Sequence, residues 1–162
     1  RGCACGDRDG VSSPELGVAH VSCLARQAKI LREEAEDNNL GVEARDARWA
    51  RWSACSLCEQ QYHGVVACAL GWACWRTYLG RPEGDWTRRL SITILGNELS
   101  DAGHLEDALP VQEAQLSMQR RLGTPTTTML AMQSNLASSY QRLGRPEALQ
   151  MRRDVYLSLI HI

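Results

Sequence analysis

The sequence predicts a mostly α-helical chain, with a loop-rich N-terminal segment followed by helical hairpins. Three observations predict this class. Ala, Leu, Arg, Glu and Gln, which are strong helix formers, are plentiful. Leu24, Ala28, Leu31 and Ala35 recur at helical spacing and form one apolar stripe. A motif in the second half of the chain returns 41 residues later. By contrast, residues 1–17 are rich in Gly, Asp and Ser, which predicts a loop.

The length and net charge of the chain limit the classes of function that we expect for it. The chain has 162 residues, which allows one ordinary domain or two small ones. Its net charge of −1 gives no bulk positive field for nucleic acid or anionic lipid, so neither partner is expected. The longest apolar run, Val65 to Trp75, is shorter than the roughly 20 residues of a membrane helix. No secretory signal is visible, and we expect the cytoplasm, with the nucleus as the alternative.

The first half of the chain predicts three helices. The first begins near Val18 and ends at the Asn38–Gly41 segment, and the second runs from Val42 to Trp52. The third runs from Val65 to Leu79 and is apolar nearly all round, which predicts a buried helix. Asp85 is a plausible N-cap for the next helix.

The second half repeats itself. Leu95-Gly96-x-x-Leu99-x-x-x-Gly103 is echoed by Leu136-Ala137-x-x-Tyr140-x-x-x-Gly144, with each position 41 residues on. Each unit predicts a helix, a tight turn at the glycine and a second helix. Gly123 and Pro125 separate the two units, as a glycine after a helix and a following proline should. Self-similarity at a fixed period is typical of a solenoid, and an ordinary helical bundle is the alternative.

Cysteines and one histidine form three close pairs. Seven cysteines is an odd count, and the pairs are Cys3-x-Cys5, His20-x-x-Cys23 and Cys55-x-x-Cys58. In a chain without an export signal such pairs favour a metal over disulfides. Zinc takes thiolate and imidazole ligands in a tetrahedron, so two pairs must meet at one ion. Cys68 and Cys74 lie in the apolar run and are predicted as small core residues. A helical protein with scattered buried cysteines is the alternative.

The order of the pairs resembles the RING-CH zinc finger, from residue 2 to about residue 62, with the family's first cysteine pair missing. Cys3 and Cys5 match the second pair, His20 and Cys23 the third, and Trp52-Ser-Ala-Cys55-Ser-Leu-Cys58, with Tyr62 following, the fourth. The gaps between the pairs are longer than is usual in that family. The resemblance implies a cross-brace in which two alternate pairs share each zinc. It makes Cys3, Cys5, Cys55 and Cys58 a complete site, and His20 and Cys23 half of a second. His63 is either a substitute ligand or a surface turn residue.

The 41-residue unit resembles the tetratricopeptide repeats of the kinesin light chain type, on the residues Leu95-Gly96, Leu99, Gly103 and Ala108 and their counterparts. The resemblance implies peptide binding on a concave face. It places Asn97 and Asn135 on first helices, where related repeats use asparagine to hold a peptide backbone. Solvated polar side chains are the alternative for both.

The predicted organisation has four parts. Residues 1–63 form a partial finger with a helical insert, 64–84 a linking or capping helix, 85–157 two hairpins, and 158–162 an artefactual tail. The predicted function is a zinc-binding scaffold whose repeats bind protein or peptide partners. The alternative is a RING-CH-type ubiquitin ligase, or a fragment of one, that recruits substrate through the repeats and a ubiquitin-conjugating enzyme through the finger. The sequence contains no phosphate loop, H-E-x-x-H or G-x-S-x-G motif, and no catalytic residue is assigned.

Overall fold

The computed structural model describes residues 19–160, and within that range it is mostly helical and contains no strand. The chain divides into two compact units between Gly80 and Arg81, and each unit is described by itself. None of the described helices combines the length and apolarity needed to cross a membrane. The helices are α1 (Val21–Asp37), α2 (Val42–Trp49), α3 (Gly64–Tyr78), α4 (Trp86–Asp101), α5 (Leu105–Arg121), α6 (Thr126–Arg142) and α7 (Glu147–Ile160).

The first unit packs α1 against α2 and α3. Helix α1 ends at Asp37, and Asn39 then adopts a left-handed conformation with φ of 48°, so the predicted end is confirmed. The second predicted helix is shorter than expected, because the chain tightens into a 3-10 turn at Ala50–Trp52. That turn buries the Trp52 ring edge-on against Tyr78, with ring centroids 5.9 Å apart.

Helix α3 was predicted to be buried on all sides, and that expectation is wrong for one face. Cys68 and Cys74 are buried as predicted, and burial raises the pKa of the Cys74 thiol. Val65, Trp72 and Leu79, spaced seven residues apart, are exposed. Within its unit α3 packs against α1 and the 3-10 turn, and these cover only one side of the helix. The structure divides the chain after Gly80 and so groups α3 with the first unit, and the linking or capping role of residues 64–84 stays a prediction.

The second unit consists of two helical hairpins, α4–α5 and α6–α7, with α5 packed against α6. Asp85 caps α4, since its carboxylate accepts hydrogen bonds from the backbone N–H groups of Thr87, at 2.8 Å, and Arg88, at 3.2 Å. Partial burial opposes ionisation of Asp85, but these bonds and the nearby Arg81 outweigh it and lower its pKa. The predicted N-cap is confirmed. Helix α7 continues to Ile160, beyond the predicted end of the repeat at residue 157.

Equivalent positions of the two hairpins are buried alike. Both turn glycines, Gly103 and Gly144, have positive φ, at 82° and 67°, which side chains disfavour. The matched apolar and small residues of both hairpins also lie in the core: Leu95 and Leu136, Gly96 and Ala137, Leu99 and Tyr140, Ala108 and Ala148. The 41-residue sequence period therefore corresponds to a repeated packing pattern.

Replacing Gly96 with valine is expected to separate α4 from α5. A Cβ atom at Gly96 would lie 3.3 Å from the Cγ of Gln112 and 3.5 Å from a methyl carbon of Val111. Branching adds further atoms to this contact, so we expect the free energy of unfolding to fall by about 1–3 kcal/mol in a urea titration. Gly84→Val is the matched control, because a Cβ atom there meets nothing within 4 Å. Equal unfolding midpoints for the two variants would contradict the close approach of α5 to Gly96 of α4.

Candidate functional site

The Cys55–Cys58 pair lies on a tight hairpin between the 3-10 turn and α3. An isolated antiparallel bridge between Ala54 and Gln61 flanks the pair. The backbone N–H of Cys55 donates to the carbonyl of Gln60 at 2.9 Å and closes the reversal. The hairpin therefore holds both cysteines on one turn, as a pair of zinc ligands requires.

The hairpin holds the sulfur of Cys55 close to the backbone. The backbone N–H of Leu57 donates to the Sγ atom of Cys55 at 3.4 Å. Cys55 is buried and Cys58 is half-buried. Cys55 and Tyr62 belong to one buried cluster, and Cys58 and, from α1, Leu24 pack against that cluster. Because zinc binds the thiolate, this pair fits half of a tetrahedral site.

The His20–Cys23 pair occupies the N-terminus of α1. His20 is the N-cap residue, its carbonyl accepts the backbone N–H of Cys23 at 2.9 Å, and both residues are exposed. Within residues 19–160 no three His, Cys, Asp or Glu side chains converge as a metal-binding group, so this pair does not join Cys55 and Cys58. His63 does not join them either; it is exposed and occupies the N-cap position of α3 without a side-chain cap hydrogen bond. Cys3 and Cys5 lie outside the described residues.

A second candidate site is a pocket of about 260 Å³ on the second unit. Side chains from three helices line it, and both asparagines singled out from the sequence are among them. Asn97 lies on α4 and Asn135 on α6. The other lining residues are Ser100 and Asp101 of α4, Gln112 of α5, and Ser138 and Arg142 of α6.

Three carboxamides in this pocket have unused hydrogen-bonding capacity. Gln112 is only 6% exposed, and its Oε1 atom is buried with no hydrogen-bond partner in the described part of the chain. The exposed side chains of Asn97 and Asn135 likewise form no hydrogen bond within residues 19–160. A buried polar atom without a partner is uncommon in a folded protein and calls for an explanation.

Hydrogen bonds at the rim of the pocket fix the two asparagine-bearing helices relative to each other. The Nη1 atom of Arg142 donates to the backbone carbonyl of Ser100 at 2.8 Å and approaches its hydroxyl at 3.3 Å. The hydroxyls of Ser100 and Ser139 lie 3.4 Å apart. These contacts join the last turn of α4 to α6, so the asparagines face the pocket from two linked helices.

Asp101 supplies a negative charge at the same pocket. Its carboxylate forms no ion pair with the side chains that the structure describes. Burial, assisted by the charge of Asp101, raises the pKa of the neighbouring Glu98 carboxyl. The pocket thus contains one cation already hydrogen-bonded to α4 and one anion without a counterion among the described residues.

Gln112 was not singled out from the sequence. It belongs to a row of buried glutamines on α5, with Gln115 and Gln119, at positions i, i+3 and i+7. The Nε2 atom of Gln115 donates to the hydroxyl of Thr93 at 2.7 Å. The available signal was that helical spacing, combined with the small Gly96 on the facing helix.

Comparison with known proteins gives no further guide. No family model matches the chain, and no curated protein or solved structure is significantly similar to it.

Proposed function

We propose that the chain is a zinc-binding scaffold for protein interactions, and that its two hairpins are tetratricopeptide-type repeats that bind an extended peptide. One observation carries this proposal: Asn97, Gln112 and Asn135 bring three carboxamides to one pocket, none with a side-chain hydrogen bond among the described residues. A carboxamide both donates and accepts hydrogen bonds, and an extended peptide presents an N–H and a C=O at each residue.

The size of the pocket also favours a segment of chain over a cofactor. Its volume of about 260 Å³ lies below the roughly 300–1,000 Å³ of most small-molecule sites. Its lining is polar and comes from three consecutive helices, α4, α5 and α6. A peptide laid along these helices would place one side chain in the pocket and its backbone against the asparagines.

The matched burial of the two hairpins supports the repeat assignment. The glycine turns and the paired core positions recur at the spacing that the sequence period predicts. Repeats of this kind stack to form a shared surface, and a peptide groove on that surface uses first-helix residues from successive units. Asn97 and Asn135 lie on the first helices of their hairpins.

The first unit supports the zinc part of the proposal through its cysteine hairpin. Cys55 and Cys58 would supply two thiolates, and Cys3 and Cys5, outside the described residues, the other two. A bound zinc ion would act structurally by holding these distant segments together. We propose the cytoplasm or nucleus as the compartment, because thiols stay reduced there and free to bind metal.

Peptide selection tests the binding function. Panning a random peptide library displayed on phage against the zinc-loaded chain should enrich peptides that bind the second unit. The double variant Asn97→Ala/Asn135→Ala should bind these peptides with an affinity lower by about tenfold or more. Each lost hydrogen bond contributes about 0.5–1.5 kcal/mol to binding. Isothermal titration calorimetry measures the loss.

Gln141→Ala is the matched control, because Gln141 is an exposed carboxamide on α6 that does not line the pocket. It should leave peptide affinity unchanged. Failure to enrich any peptide, or equal affinities for the double variant and the control, would contradict the proposed function.

A further inference from the structure

We propose that the pocket selects its peptide by a positively charged side chain, that of arginine, held between Gln112 and Asp101. This inference rests on the proposed peptide-binding function and specifies the chemistry of the partner. Both residues line the same pocket, Gln112 from α5 and Asp101 from the last turn of α4.

Gln112 has a buried hydrogen-bond acceptor that lacks a donor in the described part of the chain. Its Oε1 atom is an acceptor, is buried and has no donor within the described residues. A donor delivered by a ligand would satisfy this acceptor, so the site is complementary to N–H groups. Gln112 lines the pocket, so a ligand bound there lies beside its side chain.

Asp101 adds a carboxylate to the same pocket. Its carboxylate lines the pocket without an ion pair among the described side chains, so it accepts hydrogen bonds from a ligand. Hydrogen bonds to an ionised partner are stronger than neutral ones. A guanidinium carries five N–H donors in one plane and can therefore reach a carboxylate and a carboxamide oxygen together.

The pocket also contains one cation, Arg142, which is hydrogen-bonded to α4. The Nη1 atom of Arg142 is bound to the carbonyl and hydroxyl of Ser100. A carboxylate entering the pocket would meet the negative charge of Asp101, which repels it and cannot donate a hydrogen bond to it. The Asp101 carboxylate and the unpaired Oε1 atom of Gln112 therefore favour a cation.

Peptides from the phage selection test this inference directly. Enriched sequences are expected to share an arginine. Replacing that arginine with citrulline, which has nearly the same shape but no charge, should weaken binding by about tenfold or more. Asp101→Asn should reduce the preference for arginine over citrulline. Asp46→Asn, at an exposed aspartate of α2, should leave it intact.

Gln112→Met separates a binding role from a structural one. Methionine keeps the length of the side chain and removes the unpaired acceptor, so the urea unfolding midpoint should not fall, while affinity for the arginine peptide should. A midpoint that falls in step with affinity would show that Gln112 acts only in packing.

Failure of the arginine inference can be distinguished from failure of the proposed peptide-binding function. Peptides that bind through Asn97 and Asn135 but tolerate citrulline, or that share an acidic residue instead, would overturn this inference and leave the proposed function standing. A selection that enriches nothing would overturn both.

Discussion

Replacing Cys55 with serine is expected to remove one zinc ion per chain from protein purified in the presence of zinc. The sulfur of Cys55 is buried and accepts the backbone N–H of Leu57, so its position is fixed on the hairpin. Structural zinc in small fingers contributes about 10–16 kcal/mol of apparent binding free energy, and serine lacks the thiolate that holds the ion. Elemental analysis gives the metal content, and thermal unfolding followed by circular dichroism gives the accompanying loss of stability.

Cys23→Ser is the matched control for this prediction. Cys23 is exposed on α1, and the predicted cross-brace would assign it to the other, incomplete site. Replacing Cys23 should not change the amount of zinc bound per chain at the site that contains Cys55. Cys58→Ser should reproduce the loss seen for Cys55→Ser, which separates a shared metal from local misfolding at one buried cysteine. Equal zinc content in all four proteins, including the unmodified chain, would contradict a site at this hairpin.

Replacing Leu136 with alanine is expected to cost about 2–5 kcal/mol of unfolding free energy, the usual range for a buried leucine. Leu136 is 2% exposed and lies in the cluster that joins α5, α6 and α7, with Leu109, Leu116 and Tyr140. Urea unfolding measures the loss. Leu95→Ala, at the equivalent position of the first hairpin, should cost a similar amount, because Leu95 is equally buried.

Leu149→Ala is the control for both leucines. Leu149 lies on α7 of the second hairpin and is 78% exposed, so its replacement should change stability by no more than about 0.5 kcal/mol. If Leu95→Ala were as mild as this control while Leu136→Ala were severe, the two hairpins would not be equivalent, and the repeat assignment would lose its energetic basis.

Local signals in the sequence predicted the helices well. The Asp85 cap and the turn at Gly103 depend on the preferences of single residues, which act over three or four positions and are visible without the fold. The apolar run and the Gly80 that follows it likewise located α3 within a residue at each end. The exposed face of α3 could not be predicted from this run, because exposure depends on how many neighbours a helix has in its unit.

The sequence predicted some residues of the two candidate sites and missed others. Asn97 and Asn135 were named from a repeat pattern, and the structure places both in one pocket. Gln112 was missed because glutamines on a helix are usually solvated, even where they recur at helical spacing. Its burial arises from the close approach of α5 to Gly96, a tertiary contact between residues 16 positions apart. The Cys55–Cys58 pair was named from its spacing, while its union with Cys3 and Cys5 stays a prediction.

Nuclear magnetic resonance of the zinc-loaded chain, titrated with the selected arginine peptide, tests the central claim most directly. The claim predicts that the side-chain amide signals of Asn97, Gln112 and Asn135 shift together at one affinity, while the backbone signals of the cysteine hairpin stay in place. Shifts confined to other surfaces, with these three carboxamides unmoved at saturating peptide, would contradict it.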